Sequence, residues 1–129
     1  MNKHIVITAL ILGVLAVILG AFGAHGLTEL VDPEAIKTFE TGVRYQTYHA
    51  LFLLFVGGTS VISLKAKSRI FFLVIFGIAF FSGSIYGLAT NDLTDFDFKV
   101  IGFITPIGGF LLILSWVLAL IDVIKNKEF

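Results

Sequence analysis

The chain has no cysteine. Disulfides, thiolate metal sites and cysteine nucleophiles are therefore excluded. Charge is also scarce: Asp, Glu, Lys and Arg make up 14% of the 129 residues, against about 25% in an ordinary soluble domain. A soluble fold of this size has a large surface to cover with polar groups, and this chain cannot cover it. The formal net charge is zero, so no overall field draws the chain to nucleic acid. What is present is apolar: 57% hydrophobic residues and a mean hydropathy of +1.01. The length suits one domain, and its expected solvent includes lipid.

Crossing a bilayer takes roughly 20 apolar residues in helical form. Four stretches meet that, at about 5–23, 45–64, 70–89 and 100–121, and none holds Asp, Glu, Lys or Arg in its interior. At 1.5 Å per residue each extends about 28–33 Å. The expected fold class is all-α: a polytopic membrane protein, a four-transmembrane-helix bundle forming one integral membrane domain over 1–129. Lys3 before an apolar run ending in "AFGAHG" also mimics a signal peptide. That run is longer than a usual signal core, and cleavage would leave three spans.

Basic residues set direction. Lys3, the link holding Lys65, Lys67 and Arg69, and the tail with Lys125 and Lys127 share one side if the spans number four. That side is expected to be cytoplasmic, with both termini on it. The other side mixes Lys37, Arg44 and Lys99 with Glu29, Asp32, Glu34, Glu40, Asp92, Asp95 and Asp97. On that outer side "DPEA" at 32–35 reads as a helix start, with Asp32 as N-cap and Pro33 in the first position. Ile36, Phe39 and Val43 then share a face, which predicts a short outer amphipathic helix at about 33–43. Glu40 and Arg44 have the spacing of a helical pair. Gly42 is the expected bend into the second span.

The unusual residues of all four spans fall in one layer, the outer half of the membrane. His25 follows the exit of the first span. Arg44, Tyr45, Gln46, Tyr48 and His49 open the second. Ser84 and Tyr86 close the third, and Gly102, Thr105 and Pro106 open the fourth. Pro106 lacks an N–H, which leaves the Gly102 carbonyl without its helical donor. In lipid that carbonyl needs another partner inside the protein. These residues form the candidate polar cluster or ligand site. Small residues at Gly13, Gly20, Ala79, Gly83, Gly87, Gly108 and Gly109 are the expected helix-packing positions. The plainer account gives the tyrosines to an aromatic belt and lets Arg44 snorkel to the interface.

Four segments carry a family resemblance: "GAFGAHGL" at 20–27, "FETGVRYQTYHAL" at 39–51, "FSGSIYGL" at 81–88 and "TPIGG" at 105–109. Together, in this order, they resemble the domain-of-unknown-function 423 family. It comprises small bacterial inner-membrane proteins and includes eukaryotic transmembrane protein 256. The resemblance covers nearly the whole chain. It implies a multi-pass helical protein of the bacterial inner (plasma) membrane and no established activity.

The functional readings divide accordingly. The first is a structural or accessory component, in contact with the bilayer and with copies of itself or a larger membrane complex. The alternative is binding or transport of a small lipid-like or anionic ligand through the outer-half cluster, with Arg44 as the anion receptor. His25 and His49 are conceivable axial haem ligands, but no spacing fixes them, and no metal or cofactor is expected. Proton relays place acids or histidines within spans, and here His49 stands alone. No catalytic residue is expected either, because Ser82 and Ser84 have no base placed beside them by spacing.

Overall fold

A computed structural model describes residues 2–127. Among these, every regular element is helical. Helix α1 covers Asn2–Ala24, α2 Pro33–Gly58, α3 Leu64–Ala89 and α4 Ile104–Lys125. Short 3₁₀ turns occupy Leu27–Glu29, Asn91–Leu93 and Phe98–Ile101.

The helix starts follow local chemistry. Asp32 caps α2, its carboxylate accepting the Ala35 N–H at 2.8 Å, and Pro33 fills the first helical position. The expected outer helix and second span are a single helix of 26 residues, about 39 Å long. The helix runs through Gly42 without a break. A Cβ at Gly42 would lie 2.7 Å from the Tyr86 ring and 3.1 Å from Ile85, so this glycine admits a neighbour. Among the described residues the ion pair is Lys37–Glu34 at 3.9 Å, not Glu40–Arg44.

Two boundaries differ from expectation for identifiable reasons. Helix α2 stops at Gly58 rather than residue 64, where Gly57 and Gly58 precede an extended Thr59. Ser63 then caps α3, its hydroxyl accepting the Ala66 N–H at 3.2 Å. Lys65, Lys67 and Arg69 therefore ride on the first turns of α3 and not on a loop. Helix α4 starts at Ile104, four residues later than expected, after a turn in which Asp97 accepts the Lys99 N–H at 3.1 Å. Pro106 thus falls in the first turn of α4, where a missing N–H removes no helical bond.

The extensive interfaces are α1–α2, α2–α3 and α3–α4. One apolar core joins Ile5, Ala9, Leu53, Val56, Ile70 and Val74, with Leu112 and Ala119 from α4. A smaller one joins Leu27, Phe39 and Ala89 at the other end. Helices α1, α3 and α4 are each long and apolar enough to cross a membrane. Helix α2 has the length, but Arg44–His49 dilutes its apolar character. Large apolar side chains stand exposed along the outer faces, including Val17 at 74% and Ile124 at 72%. A soluble monomer rarely leaves such a surface uncovered.

Several glycines admit close neighbours, and at Gly77 and Gly108 these include backbone. A Cβ at Gly77 would meet Leu112 at 2.6 Å; one at Gly108 would strike the Phe81 N–H and lie 2.7 Å from the Phe80 carbonyl carbon. Gly57 admits Ile5 and Val6, and Gly23 admits the Phe39 ring, both at 2.8 Å. The expected small-residue positions behave unevenly. A Cβ at Gly20 or Gly109 would make only an ordinary contact at 3.5 Å, whereas one at Gly87 would strike the Phe98 ring at 2.5 Å. Gly13 has nothing within 4 Å, while Ala79 and Gly83 are exposed. The reason is rotation. Residue 79 lies about 200° round the helix from residue 77, so the 79–83 step faces away from α4.

Gly108→Val should lower stability in mild detergent by about 1–3 kcal/mol through overpacking. Gly13→Ala should be neutral or stabilising by up to about 1 kcal/mol. Unfolding titrations of both variants check this contrast.

Candidate functional site

The buried stripe of α2 runs through Phe39, Gly42, Gln46, His49, Leu53 and Val56, spaced three or four residues apart. That period places two polar side chains, Gln46 and His49, on the face turned toward the other helices. Arg44, Tyr45 and Tyr48 project elsewhere and are exposed.

Gln46 joins three helices. Its Nε2 donates to the Leu12 carbonyl of α1 at 2.9 Å, and its Oε1 accepts from the Tyr86 hydroxyl of α3 at 2.6 Å. One turn away, the fully buried Ser82 hydroxyl donates to the Gly42 carbonyl at 2.8 Å. Ser82 and Tyr86 are four apart, so both reach α2 from one face of α3. The Tyr86 ring also packs on Phe39, centroids 5.0 Å apart.

His49 joins α2 to α4. The indole N–H of Trp116 can only donate, and it donates to His49 Nε2 at 3.0 Å. The His49 proton therefore sits on Nδ1 and is given to the Tyr45 carbonyl at 2.7 Å. Both ring nitrogens of a neutral imidazole are thereby used. Trp116 also stacks on Phe52 at 4.0 Å and 13°. Helices α3 and α4 are joined by Ser84, which sits 2.5 Å from the Thr105 hydroxyl and 3.0 Å from the Phe81 carbonyl. With one proton given to Phe81, Ser84 accepts from Thr105.

Other candidates lie outside this network. The side chain of His25 is exposed beyond the end of α1, and its carbonyl accepts from the Thr28 hydroxyl at 2.6 Å. The Gly102 carbonyl takes the Thr105 N–H at 3.3 Å and so has a local donor. Pro106 is exposed. Tyr45, 38% exposed, and Tyr48, 48% exposed, contact each other edge to face at 5.6 Å. A groove of about 320 Å³ opens beside His49, with Tyr45, Phe81 and Trp116 among its walls. Among the described residues, no buried side-chain nitrogen or oxygen lacks a hydrogen-bond partner. No group of three His, Asp or Glu side chains among them converges as a metal site.

A second network closes the opposite end. Lys67 is 2% exposed. Its ammonium donates to the Thr59 carbonyl and, at 3.1 Å, to Asn2 Oδ1. Asp122 of α4 accepts the Ser63 N–H at 2.7 Å and the Ser63 hydroxyl at 2.9 Å. Sequence reasoning counted Lys67 only as a charge, weighed Ser82 but left it out of the candidate cluster, and passed over Trp116. Ser82 and Trp116 each left a signal: Ser82 stands one turn from Tyr86, and a lone tryptophan inside an apolar span needs an acceptor for its N–H.

A family model described as protein of unknown function, DUF423, matches residues 19–109. The chain belongs to this family. Similar proteins include a UPF0382 membrane protein of Staphylococcus saprophyticus, 39% identical over 123 residues, covering 95% of this chain and 98% of that one. UPF0382 membrane protein YwdK of Bacillus subtilis is 35% identical, covering 95% and 98%. UPF0382 inner membrane protein YgdD of Escherichia coli is 33% identical, covering 98% and 94%. No solved structure matches the chain. The DUF423 match takes in Gln46, His49, Ser82, Tyr86 and Thr105 and stops short of Trp116.

In this DUF423 protein, Gln46→Leu and Tyr86→Phe should be coupled by about 0.6–1.7 kcal/mol, from the average to the largest value measured between membrane helices. Arg44→Gln should change stability by less than about 0.5 kcal/mol. A double-mutant unfolding cycle in detergent separates these outcomes.

Proposed function

We propose that the chain is a structural or accessory component of the bacterial inner membrane that crosses it four times with both termini cytoplasmic. Support for the fourth crossing comes from pairing. Helices α1 and α2 run antiparallel along their lengths, with Ile5 at Gly57, Leu12 at Gln46, Gly20 near Val43 and Gly23 at Phe39. Residues 39–57 of α2 thus lie alongside α1, which supports a crossing by both. Two polar positions of α2 that would oppose insertion, Gln46 and His49, are turned inward and hydrogen-bonded.

Orientation is favoured by charge. Lys3, Lys65, Lys67, Arg69, Lys125 and Lys127 lie at one end, and Lys37, Arg44 and Lys99 at the other. The relatives' names agree with a membrane location, and that of Escherichia coli with the inner membrane.

One observation favours a structural role over an outer-half ligand site: the buried polar groups are satisfied by each other. Gln46, Ser82, Ser84, Tyr86 and His49 have protein partners, and Arg44, the expected anion receptor, is outside the network. The groove beside His49 keeps the second reading specific, since a lipid-like molecule there would touch Tyr45 and Trp116. Neither reading calls for catalysis or a cofactor.

The absence of cysteine makes topology directly testable. In whole cells an impermeant thiol reagent should label Asp95→Cys and not Lys65→Cys; the reverse pattern would invert the orientation. In a native mass spectrum, no bound mass should be removed by Arg44→Ala or His49→Ala. A retained species lost in both variants would replace the structural reading with the ligand reading.

A further inference from the structure

The exposed side of the α3–α4 interface carries a trough that the outer-half network does not touch. Phe72, Phe76 and Phe80 line it from α3, and Leu111 and Leu118 from α4, around about 550 Å³ of almost wholly apolar space. The phenylalanines recur every four residues, so they form one row along the helix. Arg69 heads that row and is part of the same wall. From Arg69 to Phe80 the helix rises about 16 Å, roughly half of the ~30 Å hydrocarbon core of a bilayer. The trough is therefore as long as one leaflet is deep.

At the Arg69 end it continues into a smaller recess of about 150 Å³, walled by Ser63, Lys65, Arg69, Asp122 and Lys125. Arg69 and Leu118 belong to both. Lys65, Arg69 and Lys125 are exposed, and among the described residues none of them has an ion pair. Among the described residues the one acid in the recess is Asp122, held by the Ser63 N–H and hydroxyl. Three cations thus face one engaged carboxylate. The placement of Lys65 and Arg69 adds a separate argument. They stand in the first two turns of α3 beside Lys67, with no acid in the first turn. The positive end of a helix dipole favours anions, not cations, so this charge arrangement is unfavourable without an anionic partner.

We propose that the α3–α4 trough binds an anionic phospholipid, with its phosphate against Lys65, Arg69 and Lys125 and an acyl chain along the phenylalanine row. The apolar trough distinguishes this occupant from a free anion, and the cationic recess distinguishes it from a neutral lipid. The site rests on α3 and α4 crossing the membrane but not on which side carries the termini.

The test is native mass spectrometry of the delipidated full chain in mild detergent, titrated with phosphatidylglycerol, phosphatidylethanolamine or inorganic phosphate. Wild type should retain phosphatidylglycerol in preference to phosphatidylethanolamine. Each of Lys65→Gln, Arg69→Gln and Lys125→Gln should weaken phosphatidylglycerol retention about fivefold, the effect of one basic residue near a lipid surface, and leave phosphatidylethanolamine unchanged. Leu111→Trp, which fills the trough without altering charge, should also weaken it. Lys127→Gln, at the same end but outside the trough wall, should not. Equal retention of both lipids, no effect of the three substitutions, an equal effect of Lys127→Gln, or full competition by inorganic phosphate would each overturn the proposal. Because both lipids reach the protein in detergent, an inverted topology in the labelling experiment leaves this outcome unaffected.

Discussion

A side-chain amide has two donor hydrogens and an acceptor oxygen, and hydrocarbon satisfies none of them. Placing Gln46 on the buried stripe of α2 therefore obliges neighbouring helices to supply partners at fixed positions. Leu12 supplies a carbonyl from α1 and Tyr86 a hydroxyl from α3. Those two bonds set the depth of α1 and α3 relative to α2. Sliding either helix by one turn, about 5.4 Å, would break a bond that lipid cannot replace. Apolar packing alone gives weaker registration, because lipid tails solvate Leu and Ile as well as another helix does.

Close backbone contact and polar registration depend on each other here. Gly42 lets the Tyr86 ring lie against α2, and that approach brings the Tyr86 hydroxyl to Gln46. The same passage of α2 offers the Gly42 carbonyl to Ser82. A larger residue at 42 would displace the ring and with it the donor for Gln46. Between α3 and α4 the order is repeated: Gly77 and Gly108 bring the backbones together, and Ser84 meets Thr105 beyond them. Glycine sets the separation of the helices, and hydroxyl and amide groups set their register.

This division explains what was legible in the sequence. Apolar length showed an all-helical membrane chain, and the Asp32 cap showed where α2 begins, because each is a local property. The depth comparison put Gln46, His49, Ser84, Tyr86 and Thr105 at one level, since depth follows from counting residues along each span; the structure links Gln46 to Tyr86, Ser84 to Thr105 and His49 to Trp116. Rotation about each axis was not legible. In helices that are apolar all round, no polar face marks the outward side. Hence Ala79 and Gly83 read as packing residues although they face outward, and Arg44 read with Gln46 although it is two positions, or about 200°, away. The continuity of α2 was missed for a related reason. Gly42 resembles a hinge in sequence, and only the Tyr86 ring shows that it is a contact.

The two ends of the protein use different chemistry for the same task. At the acidic end, short polar side chains within the helices make the links. At the basic end, side chains reach across the residue 59–63 link: Lys67 binds the Thr59 carbonyl and Asn2, and Asp122 holds Ser63. Lys67 also places a cation at the C-terminus of α2, where the helix dipole favours positive charge, although the same cation stands near the unfavourable N-terminus of α3. Its buried position is thus stabilised by one helix and opposed by another. Lys65 and Arg69 have no such compensation from α2 and lie exposed beside the apolar α3–α4 trough. The basic end therefore divides its charge: Lys67 is engaged within the fold, whereas Lys65 and Arg69 stay exposed beside the trough.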